Sequence, residues 1–251
     1  MSQLDSTAVE KYYEEWTERY VEYFGTIFQA LQTDRPEELI EYIGRVTEMS
    51  DGQNVLDAGA GICGPAIIWA KNYKVNVEAL RLSQKQVDIA KAAVSEAHLI
   101  GSVNPTKGDF HHLDSLYPEG YFDRIYFLES LVHSHDPERA IKAAHTVLKK
   151  DGFIYVKALF RGADDPKNPG MIDYPIEKIN EQFSLHIRKV GDILNLMIAT
   201  GFEIFFCKKP EVKVNFDRGH LCTAKHLFHL LPVQNGPWMD EGLTFLHWLE
   251  I

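Results

Sequence analysis

From residue 54 onward the chain alternates short apolar runs with segments of helical periodicity, and this alternation limits the choice of folds. The predicted strands cover residues 54–58, 75–82, 105–110, 121–128, 152–160 and 202–208. The predicted helices between them cover residues 66–71, 83–98, 137–148 and 190–200. Strands separated by helices of this length pair in parallel and leave helices on both faces of the sheet. We therefore predict an α/β, Rossmann-like fold with a seven-stranded, mostly parallel sheet.

The first thirty residues form a separate pattern, in which apolar residues recur at steps of three and four. This spacing predicts an amphipathic helix, and its apolar stripe is unusually aromatic. The stripe includes Tyr12, Tyr13, Trp16, Tyr20 and Phe28. It is typical of core packing, and it would also suit a cover that keeps water away from an apolar ligand.

The domain organisation follows from these patterns. Residues 1–50, with a second predicted helix at 36–46, form an N-terminal helical cap, and residues 51–251 form the main domain. Three prolines within residues 164–175 indicate a loop across the edge of the sheet. We expect a cap insertion at about residues 161–188, because irregular insertions of this kind often cover a site.

Composition excludes several classes of protein. The chain has 251 residues and a formal net charge of −10, so we expect no affinity for nucleic acid or anionic membranes. No apolar stretch approaches the roughly 20 residues that a membrane-spanning helix needs. The N-terminus is polar and acidic, and the three cysteines are scattered, which is typical of reduced thiols. We expect a cytoplasmic protein with a small-molecule partner, whose oligomeric state stays open, a homodimer included.

A glycine-rich segment at residues 57–65 (DAGAGICGP) follows a strand and begins a helix. Glycines there let the backbone approach a ligand, and the helix N-terminus offers free N–H groups. Alone, the segment fits both nicotinamide and methyl-donor enzymes. Asp57 before the glycines suits a cationic ammonium group, and no second dinucleotide-binding half follows. Arg81, at the next strand end, could instead receive a 2′-phosphate, so an NADP-dependent oxidoreductase remains an alternative.

Four segments occur in an order and at spacings that resemble a known family. They are residues 12–30 with their paired tyrosines, the glycine-rich segment 57–65, the LS..Q pattern at 82–86, and FDRIYFLESLVH at 122–133. Over about residues 8–160 the chain resembles the class I S-adenosylmethionine-dependent C-methyltransferases that include the sterol side-chain and prenyl-diphosphate enzymes. The chain departs from their pattern at Ala79 and Arg81, where the family usually has Gly and Thr.

The resemblance implies a site for S-adenosylmethionine, with S-adenosylhomocysteine as product. The glycine loop would hold the methionine part, the second strand end the ribose and the third loop the adenine, while the fourth strand offers a carbonyl to the donor's amino group. The resemblance assigns Asp57, Gly59 and Gly61 to the methionine part, and Leu82 and Gln86 to the ribose. It assigns Asp109 and Phe110 to the adenine, and Leu128 to the carbonyl that the donor's amino group would meet.

Glu129 and His133 follow the predicted strand 121–128, where an acceptor would lie, and their i, i+4 spacing predicts that both lie on one face of the turn after that strand. Methylation of an electron-rich carbon creates a carbocation, which a carboxylate can stabilise and which a carboxylate or neutral imidazole can deprotonate. Tyr12 joins them as a catalytic candidate, because an aromatic ring can face a cation. The alternative is structural: Glu129 pairs locally, and His133 is a half-buried histidine with satisfied hydrogen bonds.

The predicted reaction is C-methylation of an isoprenoid alkene. The alternatives are O- or N-methylation of another secondary metabolite and a cofactor-binding scaffold without turnover. A diphosphate acceptor would need hydrogen-bond donors in the cap insertion. The candidates are Arg161, Lys167, Tyr174, Arg188 and Lys189. Mg²⁺ is expected only with such an acceptor, and the histidine spacing predicts no metal site.

Overall fold

The computed structural model describes residues 6–28, 35–161, 173–208 and 246–251. A six-stranded sheet with the strand order β3-β2-β1-β4-β5-β6 forms its centre. The first five strands are parallel, and β6 pairs antiparallel with β5 at one edge. The strands are β1 (Asn54–Ala58), β2 (Asn76–Arg81), β3 (Ser102–Lys107), β4 (Phe122–Leu128), β5 (Leu148–Arg161) and β6 (Leu246–Glu250).

Helices cover both faces of this sheet. They are α1 (Ser6–Phe24), α2 (Pro36–Val46), α3 (Gly64–Asn72), α4 (Gln84–Glu96), α5 (Leu113–Leu116), α6 (Pro137–Val147), α7 (Asp173–Phe183) and α8 (Val190–Thr200). The apolar strand β4 contributes side chains to the core on both faces of the sheet, because alternate residues point to opposite faces. Ile125 and Phe127 pack with the α6 and α8 side, whereas Tyr126 and Leu128 pack with the α2 and α3 side.

Trp69 anchors the face of the sheet that α2 and α3 cover, and it has no exposed surface. Its ring lies 4.3 Å from that of Tyr126, and its indole N–H donates to the carbonyl of Ile40 at 3.1 Å. This hydrogen bond joins α3 to α2, and it satisfies a polar group that would otherwise be buried without a partner. The N-terminal helices are thereby fixed to the sheet.

The prediction of an α/β, Rossmann-like fold is confirmed, but the described residues contain six strands instead of seven. The predicted strand at residues 202–208 is not formed at residues 202–207, and Lys208 alone makes a β-bridge among the described residues of this segment. Phe205 in this segment is 71% exposed and packs on Phe153 at 5.1 Å.

Part of the predicted cap insertion lies outside the described residues, which resume at α7. The domain boundaries at residues 50 and 161–188 therefore stay predictions. None of the helices in the described ranges is long and apolar enough to cross a bilayer.

Gly64 at the start of α3 generates the first testable prediction. A Cβ there would lie 2.6 Å from the carbonyl carbon of Thr26 and 2.9 Å from a side-chain carbon of Ile27. Backbone cannot yield cheaply, so we expect Gly64→Ala to lower the free energy of unfolding by about 1–3 kcal/mol in urea titrations. Gly191 in α8 has open space around it. Gly191→Ala is the control and should stabilise by about 0.5–1 kcal/mol. A neutral result at Gly64 would contradict the packing of the 25–28 segment on α3.

Candidate active site

The carboxyl ends of β1, β2, β3 and β4 meet at one edge of the sheet, and α1 lies across them. Two ion pairs hold α1 there, from Lys107 to Glu10 at 2.7 Å and from Lys85 to Glu18 at 2.9 Å. Beneath α1 lies a pocket lined by α1 and by the loops that follow these strands. Its lining includes Ser6, Gly59, Arg81, Phe110, Ser130 and His133. Of the predicted site residues, Gly59, Leu82, Phe110 and His133 line this pocket.

The glycine loop after β1 turns sharply beside Ser130. Gly59 and Gly61 have φ angles of +101° and +56°, in the left-handed region that favours glycine. A Cβ on Gly59 would lie 2.9 Å from the hydroxyl oxygen of Ser130, so no larger residue fits without displacing that loop. Gly61 faces the ring of Phe28, which lies 3.4 Å from where its Cβ would be. The two glycines thus let the loop pass close to Ser130 and Phe28, and Gly59 lines the pocket.

Asp57 is the unusual group of the site. It is 1% exposed, and neither carboxylate oxygen has a hydrogen-bond partner among the residues that the structure describes. Burial raises the pKa of Asp57 to about 7, although the nearby cation of Arg81 opposes this shift. Buried carboxylates without partners are rare and destabilising. The arrangement fits the ammonium group of a methionyl donor, which would supply both the charge and the hydrogen bonds that Asp57 lacks.

Arg81 lies between the glycine loop and α1, and it is 8% exposed. Its Nε–H donates to the side-chain oxygen of Gln86, and its Nη1 lies 3.4 Å from the carbonyl of Gly59. The guanidinium is 3.9 Å from the ring centre of Tyr13. The amide nitrogen of Gln86 has no partner, so it can donate to a ligand hydroxyl such as a ribose. Leu82, the next predicted ribose residue, also lines the pocket.

Asp109 follows β3 and binds both its own loop and α1. One carboxylate oxygen accepts from the backbone N–H of His111 at 2.9 Å and from its Nδ1 at 2.6 Å, and the other accepts from Ser6. Burial raises the pKa of Asp109, but these hydrogen bonds outweigh it and hold the pKa well below its usual range. Phe110 is buried against Phe127 at 5.5 Å. An ionised Asp109 beside an aromatic ring fits an adenine amino group.

His133 is bound at both ring nitrogens. Its Nδ1 lies 2.9 Å from the carbonyl oxygen of Ser184, and its Nε2 lies 2.9 Å from the hydroxyl of Tyr13. A carbonyl only accepts, so Nδ1 carries the proton and Nε2 accepts from Tyr13. Burial lowers the pKa of His133 to about 4, which leaves the imidazole neutral near pH 7. The pair is therefore a phenol hydrogen-bonded to an unprotonated base.

Glu129 follows directly after Leu128, the last residue of β4, and has a φ angle of +57°. Its Oε1 accepts from the ammonium of Lys157 at 2.6 Å. Lys157 has no exposed surface, whereas the Glu129 side chain is 25% exposed. The predicted one-face arrangement with His133 is not formed, because Glu129 precedes the short 3-10 turn at Leu131–His133. Each of the two side chains has its own partner.

The aromatic stripe of α1 forms one cluster under the helix. Adjacent rings of Tyr12, Tyr13 and Tyr20 lie 5.2–6.3 Å apart, and Phe28 lies 5.3 Å from Tyr20. Trp16 is buried in the same cluster. The hydroxyl of Tyr12 pairs with that of Tyr20 at 2.7 Å, and burial raises the pKa of Tyr12 well above its usual value. Tyr13, one residue along, contacts His133 through its hydroxyl, whereas Tyr12, the predicted catalytic candidate, does not make this contact.

The cationic residues of the cap insertion are engaged elsewhere. Arg161 forms an ion pair with Asp173 at 2.9 Å, and Arg188 donates to the carbonyls of His186 and His135 at 2.8 and 3.4 Å. Neither lines the pocket under α1. Lys189 lies at the start of α8. Lys167 and the side chain of Tyr174 lie outside the described residues.

Sequence reasoning did not identify Lys157, the Tyr13–His133 pair or the contact of Ser6 with Asp109. A usable signal existed for Lys157, since it is a single lysine within the apolar run at residues 153–160. The other two depend on how α1 docks, which the sequence pattern does not specify.

Comparison with known proteins finds similarity to methyltransferases. The profile described as "Methyltransferase domain" matches residues 56–156. The sterol 24-C-methyltransferase of Pneumocystis carinii is 28% identical over 176 residues, which cover 68% of this chain and 45% of that protein. An O-methyltransferase of Aspergillus nomiae is 27% identical over 169 residues, covering 67% of this chain and 72% of that protein. The chain thus spans about half the length of the sterol enzyme.

Two solved structures have the same fold. The [4+2]-cyclase SpnF aligns with a TM-score of 0.77 and 21% identity, over 98% of this chain and 93% of that one. Geranyl diphosphate C-methyltransferase from Streptomyces coelicolor, solved with Mg²⁺, geranyl diphosphate and S-adenosylhomocysteine, aligns at 0.68 and 16%, over 85% and 77%. The matched profile covers residues 56–156, and the chain is similar to the class I S-adenosylmethionine-dependent methyltransferases, including their sterol and prenyl C-methyltransferase group.

Proposed function

We propose that this protein transfers a methyl group from S-adenosylmethionine to a carbon atom of an uncharged isoprenoid acceptor. The observation that carries the donor half is the partnerless, buried carboxylate of Asp57 beside the glycine loop. Asp57 would hold the donor's ammonium group, Gln86 its ribose and Asp109 its adenine. S-adenosylmethionine supplies an electrophilic methyl group when it is bound.

The acceptor half is supported by the aromatic cluster and the charges after β4. The π electrons of an alkene acceptor would form the new carbon–carbon bond to the donor's methyl group while the sulfur–methyl bond breaks and its electron pair stays on sulfur. S-adenosylhomocysteine would be left, together with a cation on the adjacent carbon of the acceptor. The rings of Tyr13, Tyr20 and Phe28 exclude water and attract this cation through their faces. The carboxylate of Glu129 adds Coulomb stabilisation in a site of low dielectric constant.

Loss of a proton then regenerates an alkene. The electrons of a C–H bond beside the cation form the new double bond, and the proton passes to the hydroxyl oxygen of Tyr13. The proton of Tyr13 moves at the same time to Nε2 of His133, which accepts that hydrogen bond already. The charge ends on the imidazole, and release to solvent restores the neutral base.

The ion pair of Arg161 and the backbone contacts of Arg188 favour an uncharged acceptor over a diphosphate. In that case no Mg²⁺ is required. O-methylation is the second candidate, because a phenol bound to a neutral imidazole can also deprotonate a hydroxyl acceptor, and O-methyltransferases are among the relatives. A cytoplasmic location stays a proposal that rests on the scattered cysteines.

Product analysis tests the function directly. Purified protein is incubated with methyl-labelled S-adenosylmethionine and, separately, with a sterol side-chain alkene, geraniol, geranyl diphosphate and a simple phenol. We expect a labelled carbon–methyl product from an uncharged isoprenoid, identified by mass spectrometry and NMR. Label on oxygen would establish the second candidate, and label only in geranyl diphosphate would establish the charged acceptor. Binding of S-adenosylhomocysteine without any labelled product would indicate a scaffold.

The pKa of Asp57 predicts how donor binding depends on pH. Because the donor's ammonium group needs the ionised carboxylate, affinity for S-adenosylhomocysteine should rise with pH and level off above about 7. Below that pH, each unit should weaken binding by up to about tenfold. Calorimetry between about pH 5.5 and 8.5 measures this, with Asp57→Asn expected to bind weakly and without the dependence.

Arg81→Met is the matched variant. The cation of Arg81 opposes the raised pKa of Asp57, so its removal should move the pH transition upward.

The pKa of Asp57 also predicts how stability depends on pH. Between about pH 4 and 7 the folded protein holds a proton that the unfolded chain has lost, so stability without donor should fall as pH rises. A pH-independent affinity in the wild type would remove Asp57 from the donor site.

Two neighbouring tyrosines give a matched pair of variants. Tyr13→Phe removes the hydroxyl that binds His133, so we expect turnover to fall by about 10²–10⁴, with unchanged affinity for S-adenosylhomocysteine. Tyr12→Phe removes only the hydrogen bond to Tyr20 and should leave turnover within a few-fold of wild type. Steady-state assays with the accepted substrate measure both. Equal losses in the two variants would mean that the tyrosines act through packing alone.

A further inference from the structure

We infer that Lys157 is a positioning residue, which fixes the carboxylate of Glu129 as an oriented negative charge at the acceptor end of the site. The inference rests on the proposed function and deepens it by naming the group behind Glu129. Lys157 itself has no exposed surface, so no substrate can touch it in this arrangement.

A buried lysine in the middle of β5 calls for an explanation. Its neighbours Val156 and Ala158 belong to the apolar core, and the ammonium donates to Glu129. Taking an ammonium and a carboxylate out of water is unfavourable, and apolar residues of similar volume often stabilise a core better. The ion pair therefore contributes little to stability that apolar packing could not supply. Buried charges with a specific charged partner are found at many functional sites.

Lys157 contacts Glu129 at two points. The parallel register pairs Lys157 with Leu128, and the Lys157 carbonyl accepts from the backbone N–H of Glu129 at 2.7 Å. The side chain of Lys157 then donates to the Glu129 carboxylate at 2.6 Å. Because Glu129 has a left-handed φ of +57°, its position is unfavourable unless such contacts fix it. Backbone and side chain of one residue thus determine where the carboxylate lies.

The two charges of this ion pair differ in their exposure. The ammonium is fully enclosed, whereas the Glu129 side chain is 25% exposed. The pair is therefore a dipole whose negative end is the accessible one. An acceptor that becomes cationic meets the carboxylate first, and the buried ammonium keeps that carboxylate from turning away. Charge fixed in advance of the reaction is the kind that stabilises a transition state most effectively.

The test compares Lys157→Met, Glu129→Gln and the double variant, each assayed with the accepted substrate and with S-adenosylhomocysteine. We expect kcat to fall about a hundredfold in each single variant, with KM and S-adenosylhomocysteine affinity within about twofold of wild type. In the double variant kcat should fall no further, because both changes remove one unit. Lys149→Met is the control: Lys149 lies on the same strand, pairs with Asp123 at the surface and should leave kcat unchanged.

Thermal unfolding separates positioning from a role in folding. The single Lys157→Met variant loses a partner for Glu129, but the double variant has no charge left to pair and should regain wild-type stability. Positioning predicts that kcat stays low in that restored protein, and that Lys157→Arg retains more turnover than Lys157→Met.

Recovery of kcat together with stability would overturn the inference, as would a Lys157→Met variant with wild-type kcat. If the wild type methylates no acceptor, the proposed function fails first and the inference fails with it.

Discussion

Parallel pairing of β1 with β2 and β4 is the constraint on which the site depends. The register sets Asp57 opposite Ala79 on one side and Tyr126 on the other, so the three strands end at the same level. The residues at or just after these strand ends therefore lie close together. They are the glycine loop, Arg81 at the end of β2, and Glu129 after β4. Antiparallel strands would place alternate loops at opposite edges of the sheet. The topology of the sheet alone thus brings these loops together, whatever side chains they carry.

The charges at this edge would suit the proposed cationic donor and cationic intermediate. Asp57 is a buried acid without a hydrogen-bond partner among the described residues, and Glu129 is a carboxylate whose counter-ion lies behind it in the core. His133, the proposed base, is kept neutral by burial, so it adds no positive charge to the site. Arg81 is the exception, and its guanidinium contacts Gln86 and the ring of Tyr13. Under the proposed function, a bound donor would offset the free-energy cost of burying Asp57.

The sequence was sufficient for the parts of the molecule that local rules govern. Period-2 and period-3.6 patterns located the five parallel strands and their helices, and glycine spacing located the donor loop, because both depend on neighbours in sequence. The predicted strand at residues 202–208 is not formed at residues 202–207, because strand pairing depends on partners that are distant in sequence. Tyr12 and Tyr13 are adjacent on one helix, about 100° apart, so both belong to the same apolar stripe. Only the docking of α1 decides which of them reaches His133, and no residue of α1 encodes that choice alone.

Tyr13 is also the point where the two halves of the site are joined. Its ring stacks on Arg81, which binds Gly59 and Gln86 on the donor side, and its hydroxyl binds His133 on the acceptor side. Helix α1 is held over the sheet by contacts at its N-terminal half, from Ser6 to Asp109 and from Glu10 to Lys107. Docking of this one helix therefore covers the pocket, orients the phenol against the base and positions the guanidinium beside the glycine loop. Because these contacts form together, a displacement of α1 would disturb donor and acceptor groups at once. Exclusion of water and assembly of the proton-accepting pair are then a single structural event.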